Sequence, residues 1–215
     1  MNRAALARDV IATANAMDAA GFAPSKSGNV SVRTKRGFLI TPTGIPYATL
    51  SPRDLVELDL NGNTVAGKLL PSSEWRFHAA LYRKKPACNA VVHNHSPRAT
   101  ALSSARKSIP PFHYMIAIAG GDEISCAKYA TFGTRQLADN MITAMAGRNA
   151  VLLANHGVVT CGSTLATAWT IAQEVENLAG EYLDLLASGL KPVLLSKAEM
   201  RKVLEKFPGY GQQAL

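Results

Sequence analysis

His93 and His95 lie in the run Val91-Val92-His93-Asn94-His95-Ser96-Pro97. Side chains alternate across a strand, so both imidazoles point to one side, just where the strand is ending and a site can open. Two rings so placed can share a metal ion. The bland reading is a pair of exposed or internally bonded histidines, because so short a motif has little specificity. His156 alters that balance. It follows the apolar run Val151-Leu152-Leu153-Ala154 and precedes Gly157, so it too stands where a strand gives way to a loop. The glycine beside it lets backbone approach closely. Three imidazoles with one exchangeable position are the ligand set of a catalytic zinc site, whereas a closed structural site takes four ligands, often thiolates.

Glu74 follows Ser72-Ser73 at the start of a helical pattern. An acid there favours the helix dipole by roughly 0.3–1 kcal/mol, which is the bland explanation. Pro71-Ser72-Ser73, however, offers two hydroxyls and unpaired N–H groups at the same helix end, which suits an anion. A carboxylate beside a phosphate pocket reads better as a proton carrier or a further metal ligand. His78 falls four residues on, on the same helical face, and is read as structural because three better ligands exist. Lys26-Ser27-Gly28-Asn29 and Thr41-Pro42-Thr43-Gly44 could also cradle phosphate, although any turn has such a composition.

The elements that must position these residues follow from periodicity and punctuation. Residues 3–20 read as a helix that Gly21 ends. Short strands are expected over 29–33 and 38–41 about Gly37, then a loop over 42–46, where two prolines bracket a glycine. Ser51-Pro52 reads as a helix start, and Asn61-Gly62-Asn63 as a hairpin turn between strands over 56–59 and 64–66. A helix with a serine N-cap is expected from Ser72-Ser73 to Tyr82, then a buried strand over 90–93 and a helix over 97–104. Residues 114–119 read as a strand, 134–146 as a helix closed by Gly147, and 150–153 as a strand. The longest helix spans 164–187, and Ser196 with Glu199 forms a capping box for a last helix through Lys206. Helices and short strands in mixed order predict an α/β fold: one domain over 1–215, with a central, mainly antiparallel sheet covered by helices.

Composition narrows the function class. At 47% hydrophobic and 18% charged residues, the chain is too apolar for disorder, and it has no apolar run long enough for a membrane span. The N-terminal segment carries Asp9 and Asp18 and reads as an amphipathic helix rather than a targeting peptide, so a cytoplasmic location is expected. Cys88, Cys126 and Cys161 are widely spaced and form no CxxC pair, so neither a disulfide framework nor a thiolate site is indicated. The net charge of +8 is spread along the chain without a basic stripe interleaved with aromatics. A nucleic-acid binder is therefore the least favoured class. Diffuse positive charge can instead concentrate a small anion.

In series, Ser27-Gly28-Asn29-Val30-Ser31, Thr41-Pro42-Thr43-Gly44, Ser72-Ser73-Glu74, His93-Asn94-His95 and Asn155-His156-Gly157 resemble the class II aldolase/adducin family in order and separation. So do the block Tyr129–Arg135 and Tyr210-Gly211. The resemblance implies an α/β fold and a cyclic homotetramer with active sites between neighbouring subunits. It implies Zn²⁺ on His93, His95 and His156, with Glu74 completing the coordination when substrate is absent. Phosphate would be held by Asn29, Thr43, Gly44, Ser72 and Ser73, with Ser27 and Gly28 beside them. The implied reaction is reversible cleavage of a ketose 1-phosphate, L-fuculose 1-phosphate or a close analogue, into dihydroxyacetone phosphate and a short aldehyde such as lactaldehyde. Glu74 would move the proton at carbon, while Tyr114 and Tyr210 would reach a neighbouring subunit's site. Within the family the rivals are a sugar-phosphate 4-epimerase and a methylthioribulose-phosphate dehydratase or aldolase. A non-catalytic adducin-like role predicts a broken metal set, and here it is intact. Lys26 and Asn155 depart from the pattern.

Overall fold

The computed structural model describes residues 2–210. Its strands are β1 (Asn29–Arg33), β2 (Phe38–Ile40), β3 (Val56–Leu58), β4 (Thr64–Ala66), β5 (Ala90–Asn94), β6 (Cys126–Ala127), β7 (Ala150–Leu153) and β8 (Gly157–Gly162). Six α-helices accompany them: α1 (Arg3–Ala19), α2 (Trp75–Lys84), α3 (Pro97–Ser104), α4 (Arg135–Ala144), α5 (Leu165–Ala187) and α6 (Lys197–Lys206). The strands form one sheet in the order β4-β3-β2-β1-β5-β8-β7-β6, antiparallel throughout except for the parallel β6–β7 pair. This is the mainly antiparallel, helix-covered sheet that the sequence predicts.

Alternation along β5 divides the core. Val91 faces α2 and α4, with Phe77, Leu81, Leu137, Met141 and Leu153. Ala90 and Val92 face α1 and α5, with Leu6, Val10, Met17 and Ala172. A third cluster packs α3, α5 and α6 through Leu102, Ile116, Val158, Val175 and Met200. Each fully buried large aliphatic side chain contributes roughly 1.5–3 kcal/mol by leaving water. Cys88 and Cys161 are buried within the first cluster as free thiols.

Helix ends are set locally. Thr164 Oγ1 accepts from Thr167 N at 3.0 Å to open α5, and Ser196 Oγ accepts from Glu199 N at 3.1 Å to open α6. Four expectations need correction. Neither Ser72 nor Ser73 caps α2: a bridge between Pro42 and Pro71 keeps the chain extended, and the helix starts only at Trp75 and runs on to Lys84. Residues 114–119 form a 3-10 helix, which buries Ile116 and Ala119 three residues apart. No helix follows Ser51, because the Asp54 carboxylate accepts from Ser51 N at 2.8 Å and Ser51 Oγ at 2.7 Å and closes a turn. Strand β8 is absent from the sequence reading altogether, although it pairs with both β5 and β7.

That missed strand brings Gly157 against the end of β5. A Cβ there would lie 2.5 Å from Asn94 O and 2.6 Å from His95 Cδ2. Gly157→Ala is expected to destabilise the protein by about 1–3 kcal/mol, the usual cost of overpacking. Urea unfolding checks this, and a midpoint equal to that of the unaltered protein would contradict the close approach.

Candidate active site

His93 is the penultimate residue of β5, paired across to Asn29 of β1 and to Val159 of β8. Its Nδ1–H donates to Val158 O at 2.8 Å, which fixes the ring and leaves the Nε2 lone pair facing inward. His95 lies just beyond the strand and is held by its own N–H, which donates to Phe22 O at 2.8 Å. His156 sits in the turn joining β7 to β8. Asn155 makes that turn with a φ of 53°, tolerable for asparagine, and its N–H donates to Ser103 O at 2.9 Å.

The three rings form a nearly equilateral set, with centroids 4.9, 4.9 and 5.0 Å apart and planes steeply inclined. One ligating nitrogen from each falls within 4.8 Å of the others, and the His93 and His95 Nε2 atoms are 3.1 Å apart. Glu74 closes the ring. Its Oε2 lies 2.9 Å from His93 Nε2 and its Oε1 lies 3.2 Å from His156 Nε2. A tetrahedral ion bound at 2.0–2.1 Å would separate its ligand atoms by about 3.3 Å, close to this spacing. Glu74 Oε1 is buried and accepts no hydrogen bond despite its nearness to His156, because no N–H is directed at it. A buried carboxylate oxygen left open among imidazole lone pairs fits a metal ion between them. The donor set therefore suits a cation.

Electrostatics agree. Burial pushes the Glu74 carboxyl up, but His93, His156 and the Asn29 hydrogen bond outweigh it and hold the group down at about 2. Burial, followed by the neighbouring His93, lowers His95 to about 3 and His156 to about 4. Neutral imidazoles at His95 and His156 beside an ionised Glu74 are protonation states that suit a metal. His78 is not part of this ring. It is fully buried, its ring nitrogens bonded to Ser31 Oγ and Asn29 Oδ1, and burial lowers it to about 3.

A cavity of about 350 Å³ opens onto the ring, within the range of small-molecule sites. Ser27, Gly28, Asn29, Thr43, Gly44, Ser72 and Ser73 all line it, together with Glu74, His95 and His156. His93 stands behind them, fully buried. Asn29 is nearly buried and donates its amide to Glu74 Oε2 at 3.2 Å, so it touches Glu74 as well as the cavity. Lys26 is at the rim with a φ of 62°, its Nζ 2.5 Å from Asp18 Oδ2. Tyr114 and Tyr210 do not line the cavity. They are exposed, their hydroxyls 3.0 Å apart. Sequence reasoning missed Tyr47, which donates to Gly28 O at 2.7 Å and anchors the glycine loop from beneath. Tyr129 and Phe132, which the resemblance had marked within Tyr129–Arg135 without giving them a role, stand at the cavity rim.

The chain is similar to known proteins over nearly its whole length. The model of the class II aldolase and adducin N-terminal domain matches residues 8–183. The L-fuculose phosphate aldolase of Haemophilus influenzae is 49% identical, across 98% of this chain and 97% of its own. The 5-methylthioribulose-1-phosphate/5-deoxyribulose-1-phosphate aldolase of Rhodospirillum rubrum is 44% identical, across 99% of this chain and 96% of its own. A solved L-fuculose 1-phosphate aldolase superposes with a TM-score of 0.92 at 38% identity, covering 97% of this chain and 98% of that one. With a matching family model over most of its length and close relatives over nearly all of it, this chain belongs to the class II aldolase and adducin family.

Proposed function

We propose that the protein is a zinc-dependent class II aldolase. It would reversibly cleave a ketose 1-phosphate, L-fuculose 1-phosphate or a close analogue, into dihydroxyacetone phosphate and a short aldehyde such as lactaldehyde. The observation that carries this reading is the meeting of two unlike surfaces on one cavity. One is the imidazole–carboxylate ring, which calls for a cation; the other is a lining of hydroxyls, amides and glycine backbone that suits phosphate. In this reading His93, His95 and His156 hold the zinc, with Glu74 as its fourth ligand when substrate is absent. Bound there, zinc would act as a Lewis acid toward the ketose oxygens, so that no Schiff-base lysine is needed.

The chain's own groups do the rest. Asn29, Thr43, Gly44, Ser72 and Ser73, with Ser27 and Gly28, bind the phosphate and fix the carbon skeleton relative to Glu74. Glu74 protonates the carbanion carbon in cleavage and removes that proton in synthesis, general acid–base work of a kind that contributes about 10²–10⁴-fold. Tyr114 exchanges a proton with the hydroxyl that becomes the aldehyde oxygen, and Tyr210 stands beside it. Both tyrosines lie outside the cavity of their own chain, which supports their delivery from a neighbouring subunit of a homotetramer. In this reading the protein is a single-domain, cytoplasmic enzyme without nucleic-acid or membrane partners; among the described residues no helix is long and apolar enough to cross a membrane. The Rhodospirillum rubrum relative supports a second substrate reading, a 5-deoxy or 5-methylthio pentulose 1-phosphate at the same site.

Glu74→Gln is expected to lower kcat at least about 10²-fold while zinc stays bound. A coupled assay for dihydroxyacetone phosphate over fuculose-, rhamnulose-, ribulose- and 5-deoxyribulose-1-phosphates, with elemental analysis, checks both parts; full turnover would end the proton role. Subunit mixing tests the shared site. Glu74→Gln and Tyr114→Phe proteins, each nearly inactive alone, should regain activity when dissociated and reassembled together, because some interfaces then join an intact glutamate to an intact tyrosine. No recovery in verified mixed oligomers would mean that the tyrosine serves its own chain.

A further inference from the structure

Behind the cavity, five side chains interlock between β1 and α2. Glu74, His78 and Tyr82 are spaced by four along the helix stripe, with Glu74 immediately before its first turn, while Asn29 and Ser31 are spaced by two on one face of the strand. Four helical residues advance about 6.0 Å and two strand residues about 6.7 Å, so the two rows mesh in step. The contacts alternate accordingly. Asn29 Nδ2 meets Glu74 Oε2 at 3.2 Å, Asn29 Oδ1 meets His78 Nε2 at 2.5 Å, Ser31 Oγ meets His78 Nδ1 at 2.7 Å, and Tyr82 Oη meets Ser31 Oγ at 2.7 Å. Asn29 and Tyr82 are 2% exposed and Ser31 and His78 are not exposed at all, so no solvent completes the set.

Hydrogen-bond logic gives this row a direction. The ionised Glu74 can only accept, so Asn29 must present its NH₂ to it and turn its Oδ1 to His78. His78 Nε2 must therefore carry a hydrogen. With no acid beside it, the ring is neutral and Nδ1 accepts from the Ser31 hydroxyl, which in turn accepts from Tyr82. Every member except Glu74, which only accepts, donates once toward the cavity. Were the Asn29 amide reversed, its oxygen would face the Glu74 carboxylate at close range in a low dielectric, and the carboxylate would be driven from its place.

We infer that His78 is a positioning residue: its Nε2–H, set by Ser31 and Tyr82, locks the Asn29 amide in the one orientation that holds Glu74 in register with the imidazole ring and the substrate carbon. The consequence for turnover rests on the aldolase reading above; the orientation itself does not. The row ends at Tyr82, buried and packed on Phe38 and under the Arg33 guanidinium, so it offers no path for protons to solvent. It holds a geometry rather than conducting a charge.

Neutron diffraction from the perdeuterated metal-loaded protein tests the orientation directly, since it separates nitrogen from oxygen and shows each deuteron. The expected result is a deuteron on His78 Nε2, none on Nδ1, and Asn29 Nδ2 toward Glu74. A deuteron on Nδ1, or Asn29 Oδ1 toward Glu74, would overturn the inference. Kinetics test the consequence. His78→Phe keeps an aromatic ring against Phe77 and Phe38 but has no donor, and His78→Gln restores an amide donor near the same point. His78→Phe should lose about tenfold or more in kcat, as small misplacements of a reacting group do, with KM and bound zinc nearly unchanged. His78→Gln should regain most of that loss. Equal losses in both variants, or none in either, would show that the row is only packing. If the unaltered protein cleaves no ketose 1-phosphate, the proposed function fails, and the neutron result alone decides the orientation.

Discussion

A carboxylate and three imidazoles converge their ligating atoms on one point, and burial leaves Glu74 Oε1 with neither water nor a hydrogen-bond donor to satisfy it. The rest of the molecule can be understood as the frame that enforces this arrangement. His93 cannot turn away, because its second nitrogen is bonded to the backbone of the adjacent strand. His156 is fixed by the turn between two strands, and His95 by a backbone bond to Phe22, shortly after the first helix. A cation between these groups would satisfy all of them at once, so the arrangement is prepared in advance for one. The strands on both sides keep that arrangement from collapsing.

The other half of the cavity is built by different means. Its groups come from turns: the glycine loop before β1, the loop after β2, and the serine pair before α2. Turns offer N–H groups and hydroxyls not consumed by a ladder, which a phosphate needs. They are tied down at a few points, notably by Tyr47 beneath the glycine loop and by Ser72 N, which donates to Thr41 O at 3.1 Å. The metal-type and anion-type halves thus meet at Glu74, which belongs to both.

Much of this was legible in the sequence. The two-residue period of a strand puts His93 and His95 together, and a strand exit before a glycine marks His156, so the ring could be assembled from local rules. Composition alone left the glycine loops indistinct from any turn, and it was the family resemblance that singled out their seven residues, which do line one cavity. Errors came where distant chain decides local conformation. Ser72 and Ser73 have N-cap chemistry, but the Pro42–Pro71 bridge holds them outside the helix. Residues 114–119 form an apolar run that suits strand and 3-10 helix alike, and packing against α5 and α6 selects the latter. Strand β8 is bounded by glycines and follows a loop histidine, but its β-branched Val158-Val159-Thr160 is a local strand signal that the sequence reading passed over. The partnership of Asn29 with His78 spans 49 residues and depends on β1 lying under α2, which no spacing rule encodes.

The two ends of the sheet were described only as places in an order, but their lengths matter. At one end β4 has three residues and at the other β6 has two. Edge strands so short present almost no row of unpaired N–H and C=O groups, the feature by which sheets of separate molecules join. The eight-stranded sheet is therefore self-terminating, and any lasting contact between copies is left to side chains. Side-chain surfaces can be made specific in angle and handedness, as a closed ring of subunits demands, whereas an open ladder would add strands without limit.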